Sequence, residues 1–231
     1  MPIAVISSMA TRHVLNDLAD SYTQQSGQLV TVESVGGVAA ARRVEQGEAA
    51  FDVVVLAADA IDGLVAAGRV DAASRVGIAR SGIAVAVAAG AATRPIDNER
   101  AVRDAVLAAR SIGYSTGPSG AHVMRLFERW GIAQKIAPRI VQAPPGVAVG
   151  ALIARGEVEL GFQQMSELIG LDGVDIIGPL PREIQTVTVF EGAVCADSRA
   201  PVDARSLLAF MSAPQGDAIK RRYGMEAVTR R

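Results

Sequence analysis

Three stretches of this sequence place serine, threonine and glycine where an apolar run gives way to a helical pattern. They are Ser7-Ser8-Met9-Ala10-Thr11, Ser34-Val35-Gly36-Gly37-Val38 and Ser115-Thr116-Gly117-Pro118-Ser119-Gly120. At a strand-to-helix junction, small residues leave the first backbone N–H groups of the helix uncovered. The helix dipole adds positive potential there, so such loops can hold an anion. The hydroxyls add donors, although the same residues also cap helices and make turns in any protein. No nucleotide motif accompanies them, neither G-x-x-x-x-G-K-[ST] nor G-x-G-x-x-G after a strand. The ligand-binding candidates from these loops are Ser7, Ser8, Met9, Gly36, Gly37, Val38, Ser115, Ser119 and Gly120. On this reading, a bulky β-branched residue at Gly120 blocks an anion's approach to the backbone with little loss of fold.

Two further segments add candidates. Gln142 to Gly150 turns at Pro144-Pro145-Gly146 into another helix start, which offers Val147. Gln163 and Gln164 follow an apolar run, and buried amides need partners. Neighbours on a strand point to opposite faces, so at most one of the two is expected to reach a ligand. For acid–base chemistry the candidates are His122, His13 and Glu167. The two histidines are the only ones in the chain, and each follows an anion-loop candidate within a helical turn. A helix N-terminus favours neutral imidazole, which can accept a proton. Arg12 and Arg42 have the fork geometry to grip a carboxylate, but arginines on helices are commonly just solvated.

The elements that must position these residues follow from periodicity. Apolar runs alternate with amphipathic helices: strands at 2–6, 29–34 and 51–56, helices at 11–25, 38–46 and 59–65. Phe51–Leu56 is almost continuously apolar, as a doubly covered parallel strand should be. This order predicts a doubly wound sheet with ligands at the carboxyl ends of its strands. A long strand at 78–87 leads to a second α/β set: helices at 96–109, 121–130 and 147–155, strands at 111–114, 159–162 and 174–177. A second long run, 184–194, precedes a helical C-terminus at 202–223. The two long runs are expected to cross between lobes, giving lobe one as 1–80 plus 192–231 and lobe two as 81–191, with a ligand cleft between them.

At 231 residues, 50% hydrophobic and 4% aromatic, the chain is long enough for two modest cores. A net charge of −1 with no basic block argues against a nucleic-acid partner. Cys195 is alone, and no Cys/His cluster has metal-ligand spacing, so neither a metal nor another cofactor is expected. Met1-Pro2 runs straight into an apolar strand without a basic or long apolar leader. The chain as written therefore reads as cytoplasmic, and as periplasmic if a signal has been removed ahead of it.

The stretch from Gly37 to Asp59, with Arg42-Arg43-Val44-Glu45-Gln46-Gly47 running into Phe51-Asp52-Val53-Val54-Val55-Leu56-Ala57, resembles the type 2 periplasmic binding proteins. It is most similar to the molybdate-binding protein family of ABC transporters. The run Ala154-Arg155-Gly156-Glu157-Val158-Glu159-Leu160-Gly161 is similar to that family as well, and the likeness covers nearly the whole chain. The resemblance implies a two-lobed α/β fold closing on a small anion, with an ABC-transporter permease as partner if the chain is exported. The family's serine pair corresponds to Gly37-Val38, its late aromatic donor to the region of Gln163-Gln164, and its first serine to Ser8 or Met9. With fewer donors, a di- or tricarboxylate fits as well as molybdate. Enzymes of the aconitate-isomerase type also resemble this family. They imply an alternative, a cofactor-free isomerase that moves a proton on an unsaturated tricarboxylate.

Overall fold

The computed structural model describes residues 1–48 and 51–228. In chain order the strands are β1 (Ile3–Ser8), β2 (Val30–Val35), β3 (Val53–Ala57), β4 (Val70–Ala88), β5 (Ile112–Tyr114), β6 (Ile140–Gln142), β7 (Leu160–Gln164), β8 (Val174–Pro179) and β9 (Val187–Cys195). The helices are α1 (Arg12–Ser26), α2 (Gly37–Gln46), α3 (Ala58–Ala66), α4 (Glu99–Ala108), α5 (Pro118–Arg129), α6 (Ala133–Ile136), α7 (Val149–Ala154), α8 (Met165–Leu168), α9 (Pro201–Met211) and α10 (Asp217–Arg222). The chain forms two compact units, Met1–Ser81 with Thr188–Arg231, and Gly82–Val187.

In the first unit the strand order is β2-β1-β3-β9. β1 is parallel to both β2 and β3, in register Ser8↔Val35 and Val5↔Val53, while β9 runs antiparallel to β3. All five residues of β3 are buried because both faces are covered. Val53 and Val55 join Ile3 and Val5 against α1 and α9, while Val54 and Leu56 join Ile6 against α2 and α3. The period-2 alternation of Cβ directions sends one apolar run into two cores.

A carboxylate seals one end of this unit. Asp52, just before β3, is 5% exposed. It accepts from Ala4 N–H at 3.0 Å, Ser198 Oγ at 2.7 Å, Arg199 N–H at 3.1 Å and Ala200 N–H at 3.2 Å. Burial alone would push this carboxyl up, but the four donors outweigh it and hold the group below the usual range. Cys195 lies beside it. Burial, then Asp52 and Asp197, push its thiol up to about 12, so it stays protonated and unreactive.

In the second unit the later part of β4 pairs antiparallel with β7 and β8, and β5 lies parallel between β6 and β7. One face carries large residues, Ile83, Val85, Ile112 and Phe162, packed on α4 and α5. The other is small. Gly113 and Gly161 are cross-strand partners. A Cβ on Gly161 would lie 2.5 Å from Ile153, and one on Gly113 2.8 Å from Val158. That bare patch lets α7 lie close to the sheet.

Several elements differ from the sequence expectation for local reasons. The helix expected from Ile96 begins at Glu99, because Asn98 caps it by accepting Ala101 N–H at 2.9 Å. The C-terminal helix is two helices, interrupted by the turn at Pro214–Gly216. β4 begins eight residues before the expected strand, at Val70 rather than Ile78. Its polar opening is held by partners: Arg75 pairs with Glu191 and Asp62.

Candidate functional site

In the first unit, parallel pairing of β1 with β2 puts their carboxyl ends side by side. A single 3₁₀ turn, Met9–Thr11, joins β1 to α1, and Gly36 joins β2 to α2. Ser7 and Thr11 are fully buried and Ser8 is 8% exposed. Ser7 Oγ and Ser34 Oγ are 2.8 Å apart, which ties the two strand ends together. Thr11 Oγ1 donates to Ser8 O at 3.0 Å, and Ser8 Oγ lies 3.5 Å from it. Gly36 makes no side-chain cap for α2, and Val38 projects into the open at 77% exposure. The first-turn amides of α2 thus sit beside the hydroxyls of β1, so Ser7, Ser8, Met9, Gly36, Gly37 and Val38 are brought together. Arg12 and Arg42 point outward.

In the second unit the parallel strands β6, β5 and β7 present their carboxyl ends on one edge. Ser115 Oγ and Ser119 Oγ are 2.9 Å apart across the turn into α5, whose cap, Gly117, again offers no side-chain acceptor. Gly120 is packed rather than open. A Cβ there would lie 1.7 Å from the carbonyl oxygen of Ser115 and 2.9 Å from Tyr114. The expectation of little loss of fold at this position is therefore corrected: the loop backbone itself needs the glycine. Val147 N–H donates to Pro144 O at 3.0 Å, closing the turn, so this candidate donor is engaged within the loop.

Gln163 and Gln164 are both buried, on opposite faces of β7. Gln163 is held at both ends of its carboxamide. Its Oε1 accepts Val149 N–H at 2.8 Å, and its Nε2 donates to Glu167 Oε2 at 2.7 Å. The sequence offers no sign of the Val149 contact, since it joins a strand to a helix that precedes it in the chain. His122 Nε2 donates to Ile184 O at 2.8 Å. His13, in the first turn of α1, is exposed and stacked on Tyr223, with ring centroids 5.8 Å apart. Among the described residues, no three His, Cys, Asp or Glu side chains are grouped to hold a metal, and no helix is long and apolar enough to cross a membrane.

Comparison with known proteins places this architecture. The model of the bacterial extracellular solute-binding proteins matches residues 3–226. The chain belongs to that family. An aconitate isomerase from Pseudomonas sp. is 36% identical over 218 residues, covering 91% of this chain and 82% of that protein. The periplasmic molybdate-binding protein of Azotobacter vinelandii has the same fold, with TM-score 0.82, 20% identity, and 98% of this chain and 100% of that one covered. So does PEB3 with L-phospholactate bound, with TM-score 0.74, 13% identity, and 98% and 100% covered.

Within this solute-binding protein, Glu167 is the carboxyl group whose surroundings change it most usefully. Burial pushes it up to about 7, and the Gln163 N–H opposes part of that rise. An acid with a raised folded pKa binds its proton more tightly when folded. Its contribution is present below the unfolded value, near pH 4, and is lost as pH rises through about 7. The loss is at most on the order of 3 kcal/mol, because the partly exposed carboxyl group keeps some of its hydration. Glu167→Gln keeps the shape and still accepts from Gln163. It should therefore be about 2–3 kcal/mol more stable than the parent at about pH 8 and equal to it below about pH 4. Urea unfolding at both pH values measures this, and no gain at the higher pH would sink it.

Proposed function

We propose that this solute-binding protein holds a small anion, an oxyanion or a di- or tricarboxylate, by the helix N-termini and hydroxyl-bearing loops at its strand carboxyl ends. The observation that carries this reading is that α2 and α5 both start at glycine caps without side-chain acceptors, beside paired serine hydroxyls. Neutral donors of this kind offset the desolvation of an anion without fixing its identity. Molybdate in one fold relative and L-phospholactate in another support an anionic ligand. If the chain is exported, an ABC-transporter permease is the partner this reading implies.

A second reading is favoured by the 36% identity to an aconitate isomerase over nearly the whole chain. Here the bound anion is an unsaturated tricarboxylate. A base removes a proton from the methylene carbon, the double bond shifts through the allylic carbanion, and the same proton or one from solvent returns at the other end. No net atom is gained and no cofactor is needed. Glu167 suits the base role best, since a group near half-protonation at neutral pH both takes and returns a proton. His122 is the second candidate in the same unit, and His13, stacked on Tyr223, is the weakest.

A thermal-shift screen tests both readings, using molybdate, tungstate, sulfate, phosphate, citrate, cis- and trans-aconitate and short dicarboxylates. A ligand at a hundred times its Kd adds about 2.7 kcal/mol to the folded state. Stabilisation by molybdate or tungstate alone supports the oxyanion receptor. Stabilisation by aconitate supports the tricarboxylate site, and solvent deuterium entering bound aconitate then separates an isomerase from a binder. No shift with any anion overturns the anion reading.

A further inference from the structure

Gln163 is 1% exposed, and both ends of its carboxamide have partners. Val149 N–H can only donate, so the amide oxygen must face it and the amide hydrogens must face Glu167. Val149 opens α7, which has no side-chain cap of its own, so one amide closes that helix end and reaches the carboxyl group. The elements packed most extensively on α8 are β7, α7 and β8. They carry one titratable side chain, Asp175, whose carboxylate accepts Gly90 N–H at 2.8 Å. Burial and Gln163 are what act on Glu167.

We propose that Gln163 is the positioning residue of Glu167, holding its carboxylate in one direction and favouring the ionised form that accepts a proton from a bound ligand. This deepens the isomerase reading and rests on it for its catalytic meaning. It also changes the role of Gln163, which serves the base rather than touching the ligand. The sign is fixed by chemistry: a donor stabilises the ionised carboxyl group, and removing it leaves burial unopposed.

The test is NMR on the full chain, following the Glu167 carboxyl carbon and the Gln163 side-chain amide across the pH range. In the parent both signals should titrate with one shared midpoint. In Gln163→Met, which keeps the length and lacks both bonds, the Glu167 midpoint should rise by about one pH unit. The acid limb of the rate of deuterium entry into cis- and trans-aconitate should move up with it, beneath a high-pH plateau that falls because the carboxylate is no longer held in one direction. A purely structural role would lower that rate at every pH and leave the limb in place, which would overturn the inference. So would a parent Gln163 amide that ignores the Glu167 titration, a result that needs no variant to fold. No deuterium entry at any pH, with the shared titration intact, overturns the isomerase reading and leaves Gln163's hold on Glu167 standing.

Discussion

Replacing Gly120 with valine should leave the Gly82–Val187 unit unable to fold, and alanine alone should cost it several kcal/mol. The first turn of α5 lies under the Ser115 carbonyl, which would sit 1.7 Å from an added Cβ, with the Ser115 carbonyl carbon at 2.8 Å. Real contacts of this kind are about twice as long. The obstacle is backbone rather than the end of a flexible side chain, so relief requires the loop from Ser115 to Gly117 to move by more than an ångström. That movement breaks the Ser115–Ser119 hydroxyl contact at 2.9 Å and lifts the loop from the start of α5. Overpacking in tolerant cores costs about 1–3 kcal/mol, and a backbone collision exceeds that. Urea unfolding of Gly120→Ala measures it, and an unchanged midpoint would mean the loop does not fold back on the helix. Anion affinity in such variants says nothing about the loop's role unless the fold is first shown to survive.

Asp52→Ala should be the most damaging change in the other unit, at about 3–5 kcal/mol. It leaves the N–H groups of Ala4 and Arg199 and the Ser198 hydroxyl without their acceptor, while Ala200 N–H keeps Ser198 Oγ at 3.2 Å. Each buried donor left unpaired costs about 1–3 kcal/mol, partly relieved where water enters. Asp52→Asn keeps one acceptor oxygen and should lose about half as much. The pH dependence separates charge from shape. The folded carboxyl group is held below its usual range, so its contribution is present above the unfolded value, near pH 4. It disappears as pH falls from there through the folded pKa. The gap between the parent and Asp52→Asn should therefore close in acid. A gap that stays constant from neutral pH to about pH 3 would show that the charge contributes nothing.

What could be read from the sequence is what the chain decides locally. The alternation of apolar runs with amphipathic helices led to the α/β fold, and the family model and the solved structures agree with it. The strand-to-helix loops were legible for the same reason, since Ser7-Ser8 and Gly36-Gly37 mark their own junctions. Contacts set by distant chain were not. The opening of β4, Asp71-Ala72-Ala73-Ser74-Arg75, has no apolar run, so the expected strand starts only at 78. This opening is a strand because Ser74 Oγ accepts Val194 N–H and Arg75 finds Glu191 and Asp62. Gln163 looked like a ligand residue because a buried amide needs partners. Its partners are Val149, fourteen residues earlier, and Glu167, reached across a strand end. Gly120 looked like an open approach to backbone because sequence does not show which way the preceding loop turns.

The division of the chain also sets a timetable for synthesis. Residues Gly82–Val187 are contiguous, so that unit has every strand and helix it needs once Val187 is clear of the ribosome. The other unit must wait. Its β3 remains an unpaired edge until β9 is made, and α1 has no lid until Ala204, Leu207, Leu208 and Met211 of α9 arrive. During translation the first eighty residues therefore carry an open strand and a bare apolar helix face while the middle of the protein folds beyond them. At about 5–20 residues per second, the hundred-odd residues between leave that surface uncovered for roughly 5–20 seconds, the interval in which a nascent chain most needs a chaperone.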